Sequence, residues 1–348
     1  MRWADQAADA DDGSLPGLSR AGLVRTVQTP EFEGITFHEV LARSALNKVP
    51  DGSGLPFRYT VNTMRGCSHA CRYCFARPTH EYLDLGPGED FDSQLVVKLN
   101  VAAVLRRELR RRSWQRETVA LGTNTDPYQR AEGRYRLMPG VIRALAESGT
   151  GMSILTKGTL LRRDLPLLRA ARSSVDVQVG VSLAMLDDDL RRQLDPGAPS
   201  PRARLELIRA LAEAGLAPHV MIAPVVPHLT DDEAQLDALL QALAEAGAAR
   251  VTAIPLHLRG STRGVFLDWL AEHHPALQRR YRLLYSRGAY VHPDYSSRLR
   301  TRMAPLVARH GLSRPAPEPE HGVAVPAAAG SPAPTAAATA TQPALTLF

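Results

Sequence analysis

Between residues 56 and 312 the chain alternates between two kinds of apolar pattern, and this alternation constrains the fold more than any other feature. Six short runs rich in β-branched or other apolar residues lie at 59–64, 118–121, 152–155, 175–182, 220–226 and 251–256. Stretches with helical periodicity separate them, at 93–112, 138–148, 161–173, 201–214 and 231–246, and a last helical region covers 265–310. Strands that alternate with helices at this spacing pair in parallel, through right-handed crossovers. Gly149, Gly215 and Gly247 follow three of the helical stretches, where a left-handed residue commonly ends a helix. Six βα units suit an open doubly wound sheet or a partial barrel. No Gly-x-Gly-x-x-Gly follows any of the runs, so a dinucleotide-binding sheet loses its best support.

Four segments follow from the patterning: an N-terminal extension (1–55), the βα array (56–260), a helical C-terminal cover (261–312) and a tail (313–348). The extension is weakly patterned, with one helical stretch around 38–46. The tail is dominated by Pro and Ala, which cannot build a core, and is expected to be disordered. The first twenty residues are acidic and lack the basic and apolar regions of a signal peptide, and no run approaches a membrane span. A cytoplasmic protein with reduced thiols is expected, and no membrane partner. The formal charge of +6 permits an acidic partner such as nucleic acid. Only three of the 42 basic residues are lysines (Lys48, Lys98 and Lys157), which singles each of them out.

In parallel βα arrays, chemistry collects at the C-terminal strand ends. Those ends read Arg65-Gly66-Cys67, Gly122-Thr123-Asn124-Thr125-Asp126, Thr156-Lys157-Gly158, Ser182, Ala223-Pro224-Val225-Val226-Pro227 and His257. The protein's three cysteines all fall on the first of these loops, as Cys67-x3-Cys71-x2-Cys74. Three thiolates on one tight loop suit an iron–sulfur cluster with one iron left open to a ligand. The alternative is a structural zinc site completed by His69 or His80.

Cys67-x3-Cys71-x2-Cys74, with the aromatic Tyr73 before the last cysteine, resembles the signature of radical S-adenosylmethionine (SAM) enzymes. That resemblance implies a (βα)6 partial TIM barrel over about 56–260, with a 4Fe-4S cluster at its mouth and SAM as second cofactor. It further implies reductive cleavage of SAM to a 5′-deoxyadenosyl radical, and an electron donor of flavodoxin or ferredoxin type. Met64-Arg65-Gly66-Cys67, Gly122–Gln129, Leu155-Thr156-Lys157 and Val181-Ser182 are similar to the spore photolyase-like branch, which implies a nucleic-acid substrate resembling a DNA lesion. In that branch a lysine and a serine at the positions of Lys157 and Ser182 contact SAM, and Tyr73 is expected beside its adenine. The loop Gly122, Thr123, Asn124, Thr125, Asp126 takes the place of the usual SAM amino-group motif, and Tyr128 is a candidate for the radical site. Two departures stand out. Spore photolyase carries a further cysteine that donates hydrogen to the product radical, whereas all three cysteines here belong to the cluster motif. A tyrosine follows the last cluster cysteine there, and Phe75 stands here. Substrates of another class, a peptide or small metabolite, stay open, as does a non-catalytic DNA- or clamp-associated protein with a structural metal.

Further signals carry two readings each. Arg106, Arg107, Arg110, Arg111, Arg112 and Arg116 form either a nucleic-acid footprint or the solvated face of an outer helix. Tyr281, Tyr285, Tyr290 and Tyr295, interleaved with arginines, could clamp a base or cover the open side of the barrel. His257 could reach the cavity or sit in the core, while His273-His274 reads as a surface pair. The C-terminal Ala344-Leu345-Thr346-Leu347-Phe348 resembles peptides that dock on the DNA sliding clamp, with Leu345, Leu347 and Phe348 as apolar anchors.

Overall fold

The computed structural model describes residues 22–313, apart from Gly52 and Gly54. The tail and the clamp-like peptide lie outside the described residues. In chain order the strands are β1 (Leu23–Gln28), β2 (Thr36–Val40), β3 (Leu46–Lys48), β4 (Tyr59–Val61), β5 (Met64–Arg65) and β6 (Gln94–Lys98). They continue with β7 (Val119–Leu121), β8 (Met152–Thr156), β9 (Val177–Ser182), β10 (His219–Val225) and β11 (Arg250–Pro255). Seven make one sheet in the order β11-β10-β9-β8-β7-β4-β3. Six of these are parallel neighbours, and β3 closes the edge antiparallel to β4. Helices follow β7 to β10, including Met138–Glu147, Leu165–Arg172, Pro201–Glu213 and Glu233–Glu245, and bury their apolar sides. The result is the (βα)6 partial barrel, with all six parallel strands ending on the same edge.

Gly149, Gly215 and Gly247 adopt φ of 70°, 76° and 82° just past their helices, the left-handed conformation that a β-carbon disfavours.

Outside the barrel, the structure corrects three expectations. A second sheet, in the order β1-β2-β6-β5, is built from segments that the sequence presents otherwise. Residues 36–40 form a strand rather than the start of a helix, and 46–48 form another. Two polar residues mask β2, and both are buried with partners. His38 bonds Gln94 at 2.9 Å, and Glu39 accepts from Arg25 and the Tyr135 hydroxyl at 2.7 and 2.9 Å. The helical stretch expected from residue 93 begins as strand β6, whose Leu95, Val96 and Val97 are all buried; the helix proper is Val101–Leu109. The run 59–64 splits, because Met64 and Arg65 leave the large sheet and pair with Val97 and Val96 of β6. The cysteine loop therefore departs from the small sheet, one step to the side of the barrel strand that precedes it.

Candidate active site

Gly66 opens the cysteine loop with φ 79°, and a β-carbon there would stand 2.7 Å from Leu95 and 2.9 Å from the Phe91 carbonyl. The loop then turns on itself, with Ala70 N bonded to Cys67 O and Cys74 N to Cys71 O. Arg77, fully buried, fastens its far end. Its Nε donates to Cys71 O at 2.9 Å, Nη1 to the Pro87 and Gly88 carbonyls, and Nη2 to both oxygens of Asp92 at 2.9 Å. All three cysteines are free thiols, two of them buried. Burial, then Asp195, pushes the Cys71 thiol well up. Burial and the neighbouring Cys67 push Cys74 up to about 11. Thiols that hinder one another's ionisation in this way are relieved by a bound cationic centre.

The loop after β7 braces this one. Thr125 Oγ1 donates to Gly66 O at 2.6 Å, and Gln129 accepts the Ser68 amide at 2.8 Å while donating to Gly66 O and Thr125. Asp126 joins three loops. Its carboxylate accepts from Thr156 Oγ1 at 2.5 Å, from the amides of Tyr128 and Lys157 at 2.8 and 2.7 Å, and lies 3.4 Å from His69 Nδ1. Burial opposes its charge, but His69 and these donors outweigh burial and hold the carboxyl below the usual range. Burial likewise opposes a charged His69, yet Cys67 and Asp126 raise its pKa to about 10. Gly122 (φ 96°) lets the two strand ends touch, since a β-carbon would fall 2.0 Å from the Leu155 carbonyl. Thr123 Oγ1 and Asn124 N both bond Asn62 Oδ1.

Lys157 reaches across the mouth. Its ammonium donates to the Tyr73 hydroxyl at 2.6 Å and to Asp195 Oδ2 at 2.8 Å, and stands 4.8 Å from the Tyr73 ring centre. Burial works against that charge, but Asp195, Cys71 and Tyr73 keep the ammonium protonated well above its ordinary range. Asp195 is 2% exposed, and its Oδ1 has no hydrogen-bond partner. It belongs to a strap, residues 194–198, laid over the cysteine loop: Arg72 N bonds Leu194 O at 2.9 Å, and Gly197 N bonds His69 O at 3.1 Å. Buried Arg191 donates to the Ala198 carbonyl at 3.0 Å. Ser182 ends β9 beside this group, its hydroxyl on Ala223 O at 3.3 Å and its carbonyl accepting from buried Arg204 at 3.0 Å.

Past Cys74 the rim turns aromatic. Exposed Phe75, His257 and exposed Tyr290 follow one another at ring separations of 6.3 and 5.9 Å, with Arg259 5.0 Å from the Tyr290 ring centre.

Residues 61–240 match the family model of the radical SAM superfamily. The chain belongs to that superfamily. Among curated proteins, an uncharacterized protein of Mycobacterium tuberculosis is 64% identical over 334 residues, covering 94% of this chain and 98% of the relative. An uncharacterized protein of Methanocaldococcus jannaschii is 27% identical over 176 residues, or 51% and 63% of the two chains. Among solved structures, a spore photoproduct lyase mutant with bound AdoMet and dinucleoside spore photoproduct covers 79% of each chain, with a TM-score of 0.59 at 18% identity. At that identity the likeness is one of fold.

Within this radical SAM fold the structure brings Cys67, Cys71, Cys74, Tyr73 and Lys157 together, with Ser182 at the neighbouring strand end. It uses Thr125 and Asp126 as braces, so their acceptors are already engaged, and it leaves Asn124 beside a separate cleft. Tyr128 is 1% exposed, its hydroxyl shut off from solvent. That hydroxyl faces Asp164, Glu132 and Arg163, which belong to the helical layer. His257 lies on the rim. Of the four C-terminal tyrosines, Tyr281, Tyr285 and Tyr295 are buried and hold the cover, leaving Tyr290 exposed. Asp195, which sequence reasoning passed over, joins this group, and Gln129, read only as the end of the Gly122–Gln129 segment, turns out to brace the cysteine loop. Asp195 sits in the Pro- and Gly-containing stretch Gln193–Pro199 with no periodic signal, and only its contact with Lys157 gives it meaning.

Proposed function

We propose that the chain is a radical SAM enzyme acting on nucleic acid, with Cys67, Cys71 and Cys74 holding a 4Fe-4S cluster. When bound, the cluster and SAM supply one-electron cleavage of SAM and a carbon radical able to abstract hydrogen from the substrate. The donor set supports this over zinc. His69 Nδ1 lies 3.4 Å from the Asp126 carboxylate and His80 Nε2 bonds the Gln94 carbonyl at 2.9 Å, so each histidine already has a partner within the chain.

The observation that carries the SAM assignment is the unpartnered Oδ1 of Asp195 beside the Lys157 ammonium. Together these two side chains offer an acceptor for an α-ammonium and a cation for an α-carboxylate, the two charges of SAM's methionine end. Tyr73 supplies a buried aromatic face, and Ser182 a hydroxyl at the next strand end. Asp126 acts through position: it fixes Lys157 by its backbone amide and the cysteine loop through His69. The row Phe75–His257–Tyr290, with Arg259, supports a nucleic-acid substrate, since aromatic faces and a guanidinium stack bases of any sequence. In this reading a flavodoxin- or ferredoxin-type protein delivers the electron, and the reduced thiols belong in the cytoplasm. No helix among the described residues is long and apolar enough to cross a membrane.

Anaerobic reconstitution of the full chain with iron and sulfide, followed by reduction and addition of SAM and oligonucleotides, tests this. We expect about four irons per chain and 5′-deoxyadenosine formation that oligonucleotides stimulate and Cys71→Ala abolishes. Asp195→Asn should keep its iron and bind SAM at least roughly tenfold more weakly, because an acceptor for a charged group is weakened. Tightly held zinc without cleavage would overturn the enzyme. Cleavage indifferent to nucleic acid would overturn the substrate class alone.

A further inference from the structure

A second polar cleft lies beside the cysteine loop, where the small sheet meets the ends of β4 and β7. Arg65, Lys98, Asn47, Asn62, Asn124 and Tyr82 line it, and no acidic residue is among its lining. Lys98, the last residue of β6, is 8% exposed, and Arg65 stands two positions before Cys67. Among the described residues neither cation is in an ion pair. Glu108, the carboxylate whose charge Lys98 feels, turns its Oε2 to the amides of Ala45 and Leu46 at 3.0 and 2.8 Å. Asn62 spends its oxygen on Thr123 and Asn124, so what it has left for the cleft is N–H.

A buried cation without a counter-charge is costly, and proteins seldom keep one unless something outside the chain completes it. A buried ammonium and a half-buried guanidinium converge here, in a chain with only three lysines; Asn47 spends its side-chain N–H on the Ala45 and Thr60 carbonyls, so the amide donors left to the cleft are those of Asn62 and Asn124. The guanidinium fork suits two oxygens of one anion, and the ammonium adds a point charge.

We propose that this cleft is an oxyanion subsite that takes a phosphate group of the substrate and so holds the substrate next to the first cysteine. The oxyanion chemistry follows from the cleft itself; its assignment to a substrate phosphate rests on the nucleic-acid reading above. The subsite is separate from the Lys157–Asp195 pair, so phosphate and SAM occupy the mouth together. Arg65 and Lys98 sit on β5 and β6 of the small sheet, which gives that sheet a part in binding.

Binding to the full chain, measured by calorimetry without cluster or SAM, separates the possibilities. The probes are inorganic phosphate, a dinucleoside monophosphate and the two nucleosides that compose it. We expect saturable phosphate binding that weakens at least about tenfold in Lys98→Met and in Arg65→Gln, as loss of a charge-assisted contact implies. The dinucleoside monophosphate should outbind its nucleosides in the wild type, and Lys98→Met should erase the difference. Lys98→Gln serves as a second variant should Lys98→Met fold poorly, with melting curves recorded for each. Phosphate affinity equal in wild type and variants overturns the subsite. Phosphate binding that Lys98→Met removes, alongside nucleosides and dinucleoside that bind alike, leaves the oxyanion site standing and overturns its link to nucleic acid.

Discussion

Lys98 is buried at the mouth and Lys157 largely so, and their surroundings drive them in opposite directions. Asp195 outweighs burial at Lys157 and keeps it charged, whereas at Lys98 burial, helped by Arg65 and only partly offset by Glu108, lowers the pKa to about 7. The second case has a thermodynamic signature. An unfolded lysine titrates near 10.4, so between about 7 and that value the unfolded chain holds more protons than the folded one. Stability then rises with pH across this window and is lost as pH falls toward 7. The slope approaches about 1.4 kcal/mol per pH unit at most. Lys98→Met removes it. We therefore expect the variant to unfold at higher temperature than the wild type near neutral pH, with the gap closing toward pH ~10. A variant that melts lower and keeps the slope would mean that Lys98 serves packing, and the oxyanion subsite would lose its physical basis. A residue whose removal stabilises the fold is one kept for binding.

At the scale of elements, the strap 194–198 shows why one part of the site was legible in sequence and another was not. The cysteine triplet, the strand ends and the helix-closing glycines are local: their spacing along the chain is their geometry. The strap acquires its role only across long separations, with Lys157 and Asp195 38 positions apart and Gly197 packed on Ser68. The small sheet was hidden for the same reason, because buried His38 and Glu39 break the apolar pattern of β2 and find their partners on other elements. Gly197 is needed for close approach: a β-carbon there would stand 1.8 Å from Ser68 O and 2.9 Å from its carbonyl carbon. Both are backbone atoms, so the strap itself must lift. Gly197→Ala should cost roughly 1–3 kcal/mol, as overpacking does, and should weaken SAM binding through the displaced Asp195. Gly264→Ala is the control, because nothing lies within 4 Å of its added carbon in the helix Thr262–His273. That change should stabilise by about 0.5–1 kcal/mol. Urea unfolding of both variants checks the pair, and equal effects would remove the steric account of the strap.

Over the whole molecule, the C-terminal helices cover the ends of β10 and β11, and tyrosine hydroxyls fix them there. Tyr281 donates to Pro227 O at 2.7 Å, Tyr285 to Leu256 O at 2.8 Å, and Tyr295 to Asp231 at 2.7 Å. The cover is also tied to the chemistry: Thr262 Oγ1 donates to Cys74 O at 2.8 Å, and Leu258 N bonds Ala289 O at 2.7 Å next to the His257–Tyr290 bridge. The aromatic rim thus exists only while the cover is seated, although the cysteine loop has its own braces in Arg77, Thr125 and Gln129. Tyr281→Phe and Tyr285→Phe keep the rings and leave one buried carbonyl each without its donor, a loss of about 1–3 kcal/mol apiece. The two rings stack at 5.8 Å, so the double variant should fall short of the sum. Its effects should also divide by region. Hydrogen exchange at the Leu258 amide should quicken and oligonucleotide affinity should drop, while iron content after reconstitution stays at the wild-type level. Loss of iron in step with affinity would mean that the cover holds up the cluster loop as well. Unchanged affinity with a loosened cover would remove the rim Phe75–His257–Tyr290 from the binding surface.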